Sequence, residues 1–196
     1  MKKLAPLLLL TAAIFAAYAP AIRNGFVWDD HALVLRDPLI RSWRLMPEGF
    51  AHFLFTDAAA SDFYRPMQRL SYTLEYAAFG LQPAAYHVTS VLCHLAAALA
   101  LFLFARELLR LFDLSERARR YGPLLSALVW ALHPLHTSAV AYISGRADSL
   151  AAAFGFAALY FAFRSLRAAG AQVLVFTAAS TLLFLCSGLS KETGFI

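Results

Sequence analysis

Asp29 and Asp30 stand side by side in Gly25-Phe26-Val27-Trp28-Asp29-Asp30-His31, directly after a long apolar run. A carboxylate within reach of a hydroxyl can act as a general base. Two together can hold a divalent cation, which takes hard oxygen ligands. Much further along lie Arg146 and Asp148, in Ser144-Gly145-Arg146-Ala147-Asp148, and Lys191 and Glu192, in Ser190-Lys191-Glu192-Thr193-Gly194. Arginine and lysine bind phosphate oxygens through charge-assisted hydrogen bonds. A base, a possible metal and two phosphate-binding cations are useful only if the intervening chain brings them together.

The intervening chain is apolar. Hydrophobic residues make up 61% of the sequence and charged residues 15%, against roughly half and a quarter in soluble domains. One globular core of this length cannot bury that excess, so the chain reads as an integral membrane protein. The apolar residues fall into five stretches of about membrane length, 4–22, 87–109, 121–143, 149–163 and 172–189. The expected fold is an all-α polytopic transmembrane bundle. Ala17-Tyr18-Ala19 resembles a signal-peptide cleavage site, but Pro20 would follow the cut and block it, so the first span is expected to be retained. Cys93 and Cys186 both lie within apolar spans, which implies neither a disulfide framework nor zinc.

Charge sets the orientation. Lys2 and Lys3 precede the first span; Arg106, Arg110, Arg117, Arg119 and Arg120 follow the second, and Arg164 and Arg167 the fourth. Under the positive-inside rule these mark the cytoplasm. The net charge of +5 is thereby explained without a nucleic-acid face. Residues 23–86 then form an external loop, with six arginines (23, 36, 41, 44, 65, 69) against seven acids (29, 30, 37, 48, 57, 62, 75). A structureless loop of that length would be unusual. Short juxtamembrane helices are expected over the aromatic stretch 47–55 and over 64–79, where Tyr64, Met67, Leu70, Leu74 and Ala78 recur at helical spacing and Pro66 suits a first turn.

With alternating spans, Asp29 and Asp30, Arg146 and Asp148, and Lys191 and Glu192 all emerge on the external side. Charges beside a bilayer are costly and are functional candidates by default. Such a set suits attack of an acceptor hydroxyl on a phosphate-linked, lipid-carried sugar. One carboxylate takes the proton, and the cations stabilise the charge that develops on the leaving phosphate. Plainer readings stand beside each residue. An Asp pair also caps helices and turns; Arg65 could pair with a neighbouring acid; Lys191 could snorkel. His133, His136 and His31 lack a third ligand at helix-compatible spacing, so no metal is assigned to them.

Val27-Trp28-Asp29-Asp30, Tyr64-Arg65-Pro66, His133-Pro134-Leu135-His136-Thr137, Ser144 to Asp148 and Ser190 to Gly194 together resemble, in order, the membrane part of the TMTC family. These are transmembrane and tetratricopeptide-repeat O-mannosyltransferases, with bacterial relatives, in the GT-C glycosyltransferase superfamily. The resemblance implies a GT-C bundle and inverting transfer of a mannose-like sugar. The donor would be a polyprenyl phosphate, the acceptor a protein Ser/Thr hydroxyl, and the site outside the cytoplasmic leaflet. It maps the catalytic base to Asp29 or Asp30, with Arg65, Arg146, Asp148, Lys191, Glu192 and His136 as donor-phosphate and substrate contacts. No cofactor is implied with certainty, and a divalent cation stays open. The partners implied are the bilayer, the lipid donor and a protein acceptor, without nucleic acid. Later spans and repeats are absent from these 196 residues, so the chain is expected to be the N-terminal part of a longer protein. The Ala-, Leu- and Arg-rich composition leans towards a bacterial inner membrane with a periplasmic site. The rival classes are a transporter or lipid-handling protein, whose charges would sit near mid-membrane, and a non-catalytic assembly domain.

Overall fold

A computed structural model describes residues 4–56 and 62–195. Lys2, Lys3 and Asp57, which enter the charge reading above, lie outside the described residues. Among the described residues there is no strand. Eight α-helices follow one another: α1 Ala5–Tyr18, α2 Met46–Ala51, α3 Pro66–Phe79, α4 Pro83–Leu108, α5 Glu116–Ala131, α6 Thr137–Ala141, α7 Arg146–Ser165 and α8 Ala171–Ser190. Short 3₁₀ and π turns join them. The fold is an all-α membrane bundle.

Among the described residues, three helical stretches are long and apolar enough to cross a bilayer: Ala5–Arg23, Pro83–Leu111 and Ala171–Ser190. A fourth crossing arises if α5 and the segment Pro134–Ala141 count as one broken span, bent by 52°. The bend has a local cause. Pro134 excludes the helical conformation from His133, which is extended at φ −68°, ψ 131°, and whose ring accepts the Leu135 amide. Helix α7 has 20 residues and carries Arg146, Asp148 and Arg164 towards its ends.

Helices α1, α4 and α5 share one apolar core of Leu10, Ile14, Tyr18, Val91, Ala98, Phe102, Leu124, Ala127 and Ala131. Helix α7 meets α8 through small residues. The Ser187 hydroxyl donates to the Ala151 carbonyl at 2.8 Å, and Ser180 donates to Ala158 at 2.9 Å. Small side chains with hydroxyl bridges are how helices approach closely where lipid removes the hydrophobic drive. Both α4 and α7 begin at the same end of the bundle, because Arg146 of α7 reaches Ser90 of α4. At their far ends, buried Glu107 accepts from Arg110 at 2.7 Å and from Arg167 at 3.2 Å. The arginine-rich turns therefore gather opposite to Asp30 and Arg146.

The described residues of the long loop gather around one buried side chain, Arg69. Its guanidinium donates to Asp37 at 3.0 Å, to the carbonyls of Gly49 and His52 at 2.8 and 3.1 Å, and to those of Phe53 and Leu54, each at 2.6 Å. Helix α3 starts at Pro66, as its sequence predicts. Its buried face is not the apolar stripe. Gln68, Arg69, Tyr72, Thr73 and Glu75 point inward, while Leu74 and Ala78 of the apolar stripe are exposed. The loop core offers carbonyls and charges that need polar partners. The apolar stripe is left outward, the pattern of a helix lying against lipid.

Candidate active site at one end of the bundle

The adjacent carboxylates have different surroundings. Asp30 is fully buried. One of its oxygens accepts the Ser144 amide at 2.9 Å and the Ser144 hydroxyl at 2.5 Å; the other accepts the Val27 amide at 3.1 Å. Asp30 thus ties the first loop to the turn before α7. Asp29 is exposed. Its amide donates to the Tyr142 hydroxyl at 3.0 Å. Trp28 before it is 84% exposed and holds φ 49°, a left-handed conformation that is unusual for an aromatic residue, with its ring edge-on to Tyr142. The pair therefore presents one solvent-facing carboxylate. Both oxygens of Asp30 already accept hydrogen bonds. Among the described residues no group of three or more His, Cys, Asp or Glu could hold a metal.

Arg146 is fully buried, and all five of its donors are committed. Two go to Glu75, one of them at 3.0 Å; the others reach Ser71 at 3.1 Å, Ser90 at 3.2 Å and the Tyr86 carbonyl at 2.6 Å. The Tyr72 ring lies beneath it, 5.0 Å away. The expectation that Arg146 contacts a donor phosphate is therefore corrected. Burial demands a partner for the charge, and Glu75 takes it. The sequence hint was weak: Glu75 sits on the polar side of α3, facing inward.

The remaining charged candidates meet. Lys191 Nζ donates to Asp148 Oδ1 at 2.6 Å. Arg65 grips Glu192 with Nε at 3.1 Å from both oxygens and Nη2 at 2.8 Å from Oε2. Partial burial opposes ionisation of Glu192, but the hydrogen bonds from Arg65 outweigh it and hold its carboxyl below the usual range. These residues, with Asp30 through Ser144, lie at one end of the bundle, so three sequence-distant motifs converge. Two motif glycines are explained by close approach. A Cβ on Gly194 would sit 2.3 Å from the Ser187 carbonyl oxygen, and one on Gly145 2.2 Å from that of Ser138.

Below the Lys191–Asp148 pair, α7 and α8 part into an apolar slot of about 550 Å³, lined by Phe156, Leu159, Ala162 and Phe184 and headed by Asp148, Thr193 and Gly194. His136 lies at the α5–α6 break, half-buried, its ring 4.5 Å from that of Trp130. It does not touch the ion pairs. It lines a second cavity, of about 360 Å³, which Asp148 also lines. Tyr142 reads from sequence as an aromatic anchor at a span end, and Ser144 had no role of its own although it stands within a quoted motif.

No family model matches the chain, and no solved structure matches it. Curated relatives do. It is 34% identical to Protein O-mannosyl-transferase Tmtc1 of Drosophila melanogaster over 75% of its length and 17% of the relative. It is 32% identical to Protein O-mannosyl-transferase TMTC2 of Homo sapiens, over 95% of the chain and 22% of the relative. For Protein O-mannosyl-transferase TMTC1 of Mus musculus the figures are 31%, 95% and 20%. The chain is therefore similar, over most or nearly all of its length, to a segment making up about a fifth of these TMTC-type protein O-mannosyl-transferases.

Proposed function

We propose that this chain is the membrane-embedded, donor-binding part of a glycosyltransferase. The enzyme moves a mannosyl group from a polyprenyl phosphate to a Ser/Thr hydroxyl of a protein, with inversion, outside the cytoplasmic leaflet. The observation that carries this reading is the Lys191–Asp148 pair, standing at the head of an apolar slot and at the same bundle end as exposed Asp29. The names of the relatives, protein O-mannosyl-transferases, support the reaction class.

Chemically, the isoprenoid lies in the slot between α7 and α8, and its phosphate is met by Lys191, with Arg65 beside it. Lys191 carries three N–H donors and Arg65 five; the hydrogen bonds to Asp148 and Glu192 use only part of each set. Asp29 takes the proton from the acceptor hydroxyl, which is a weak nucleophile until a base is within reach. As the sugar–phosphate bond breaks, the cations stabilise the charge building on the phosphate. Asp30 and Arg146 keep the loop and α7 in place and touch no substrate.

In this reading five helical units cross the membrane, counting the broken α5–α6 pair and α7, with the arginine-rich end in the cytoplasm. The relatives named here are animal proteins, and nothing among them supports a bacterial inner membrane. A transporter is less well supported, because the ion pairs lie at the ends of the bundle rather than at mid-span.

The test is transfer of radiolabelled mannose from dolichyl phosphate mannose to a protein acceptor by the purified full-length protein in nanodiscs. Donor-dependent labelling is expected. Absence of labelling from folded protein with both substrates present would refute the reading.

A further inference from the structure

The arginine-rich end of the bundle carries a groove that the proposed reaction does not use. It runs along the first turns of α5, against the turn that follows α4, and measures about 700 Å³. Leu109 and Leu114 line it from that turn; Tyr121, Leu124 and Leu125 line it from α5. Gly122 marks the closest approach of the two, since a Cβ there would lie 2.8 Å from Leu109 Cδ1.

The groove changes character along α5. Arg117, Tyr121 and Leu125 all line it. They stand at i, i+4 and i+8, so they share one helix face. The helix rises about 12 Å from the first to the last. Arg117 lies beside the arginine-rich turn, and the apolar stretch of the sequence begins at Tyr121. Tyrosine favours the headgroup level of a bilayer. A cation, a phenol and an aliphatic side chain thus follow in the order of phosphate, ester region and acyl chain in a phospholipid. Further along α5, Leu125 is 59% exposed and Val129 68%, which leaves an apolar face to lipid.

The charge at the mouth is not neutralised by the protein. The turns at this end hold seven arginines, at 106, 110, 117, 119, 120, 164 and 167, against three acids, at 107, 113 and 116. Glu107 is taken by Arg110 and Arg167, and Asp113 lies 3.7 Å from Arg119. Arg117 and Arg120 have no carboxylate partner among the described residues. Arg120 sits over the Tyr121 ring at 5.5 Å, which puts a second cation beside the groove. Basic pockets between spanning helices suit anionic headgroups.

We propose that this groove binds an anionic phospholipid of the adjacent leaflet. Its phosphate is met by Arg117 and Arg120, and an acyl chain lies against Leu109, Tyr121 and Leu125. The groove shares no lining residue with the slot between α7 and α8, so the proposal does not depend on the donor reading.

The experiment measures binding of phosphatidylglycerol and phosphatidylcholine, with the same acyl chains, to the full-length protein in detergent by native mass spectrometry. Three variants have their changes at exposed positions, where folding is least at stake: Arg117→Gln, Ser126→Phe and Arg23→Gln. Ser126 lines the lower groove, and its change fills it. Arg23→Gln removes the same charge at the end of the first span, away from the groove. The unsubstituted protein is expected to prefer phosphatidylglycerol. Arg117→Gln is expected to weaken that lipid about fivefold, as for one arginine near an anionic headgroup, and to leave phosphatidylcholine unchanged. Ser126→Phe is expected to weaken both lipids, and Arg23→Gln neither. Equal binding of the two lipids by the unsubstituted protein overturns the proposal, because the groove is then covered or reads no charge. Equal loss in Arg117→Gln and Arg23→Gln overturns it as well, because net charge alone then attracts the lipid. Unchanged phosphatidylglycerol binding in either Arg117→Gln or Ser126→Phe places the lipid elsewhere and also overturns it.

Discussion

Asp30 accepts both the amide and the hydroxyl of Ser144, at 2.9 and 2.5 Å, across 114 residues of sequence. This contact makes one of two adjacent carboxylates a structural clamp and leaves the other facing solvent. It also fixes the distance between the first loop and the turn that leads into α7.

Loss of the clamp is expected to unfold rather than to inactivate selectively. Asp30→Ala strands the buried Ser144 amide, at about 1–3 kcal/mol when left unsatisfied. Thermal unfolding in detergent checks this. A clear fall in Tm is expected, and an unchanged Tm would remove Asp30 from the framework.

The Arg146–Glu75 pair makes a second stability prediction. Removing one member of a buried ion pair costs about 3–5 kcal/mol, because the other charge is left unpaired. Glu75→Gln should therefore destabilise strongly, while the double variant Arg146→Met with Glu75→Leu should recover much of the loss. Equilibrium unfolding of the three proteins decides it. A double variant no more stable than Glu75→Gln would contradict the account.

The third prediction concerns pH. Arg65 holds the Glu192 carboxyl below its ordinary value. A depressed carboxylate pKa contributes stability above the unfolded value, and that contribution is lost as pH falls through the folded value. The difference in Tm between the unsubstituted protein and Glu192→Gln should therefore be steady near pH 6 and shrink below about pH 4, around the carboxylate range. The size is modest, because Glu192 is half-exposed and solvent screens the pair. A difference that does not change with pH would show that the Arg65 contact is not what holds residues 192–195 in place.

These residues also show what could be read without the structure. The all-α character and the end of the bundle at which the charged motifs gather were legible because apolar run length and arginine placement are one-dimensional signals, whereas the break at His133 within the third expected span was not. The start of α3 at Pro66 was legible because proline suits a first helical turn. The orientation of α3 was not. Helical spacing of its apolar residues does not say which face is buried, and the loop it packs on is built of carbonyls around Arg69, so Gln68, Arg69 and Glu75 turn inward. The fate of Arg146 was hidden for a related reason. A cation near a membrane surface looks like a ligand for phosphate until its partner is known, and Glu75 lies 71 residues away on another helix. The division of labour between Asp29 and Asp30 depends on Ser144, and nothing in the local sequence distinguishes the two carboxylates. The charged groups that remain substrate candidates, Lys191 and Arg65, are those with donors left over.

For Lys191 the expected effect is on donor affinity. Lys191→Ala should raise the donor KM and also lower kcat, since a cation facing a leaving phosphate acts in the ground state and more strongly in the transition state. Steady-state kinetics over a range of dolichyl phosphate mannose measures both. An unchanged donor KM would place the phosphate elsewhere.

The most direct measurement is single-turnover mannosyl transfer by Asp29→Asn in the full-length protein, at saturating donor and with the fold confirmed by its Tm. The account predicts a rate lower by about 100-fold or more, the usual cost of removing a general base, with donor binding unchanged. A folded Asp29→Asn protein that transfers mannose at the unsubstituted rate would contradict it, because no other carboxylate of the Asp pair faces solvent.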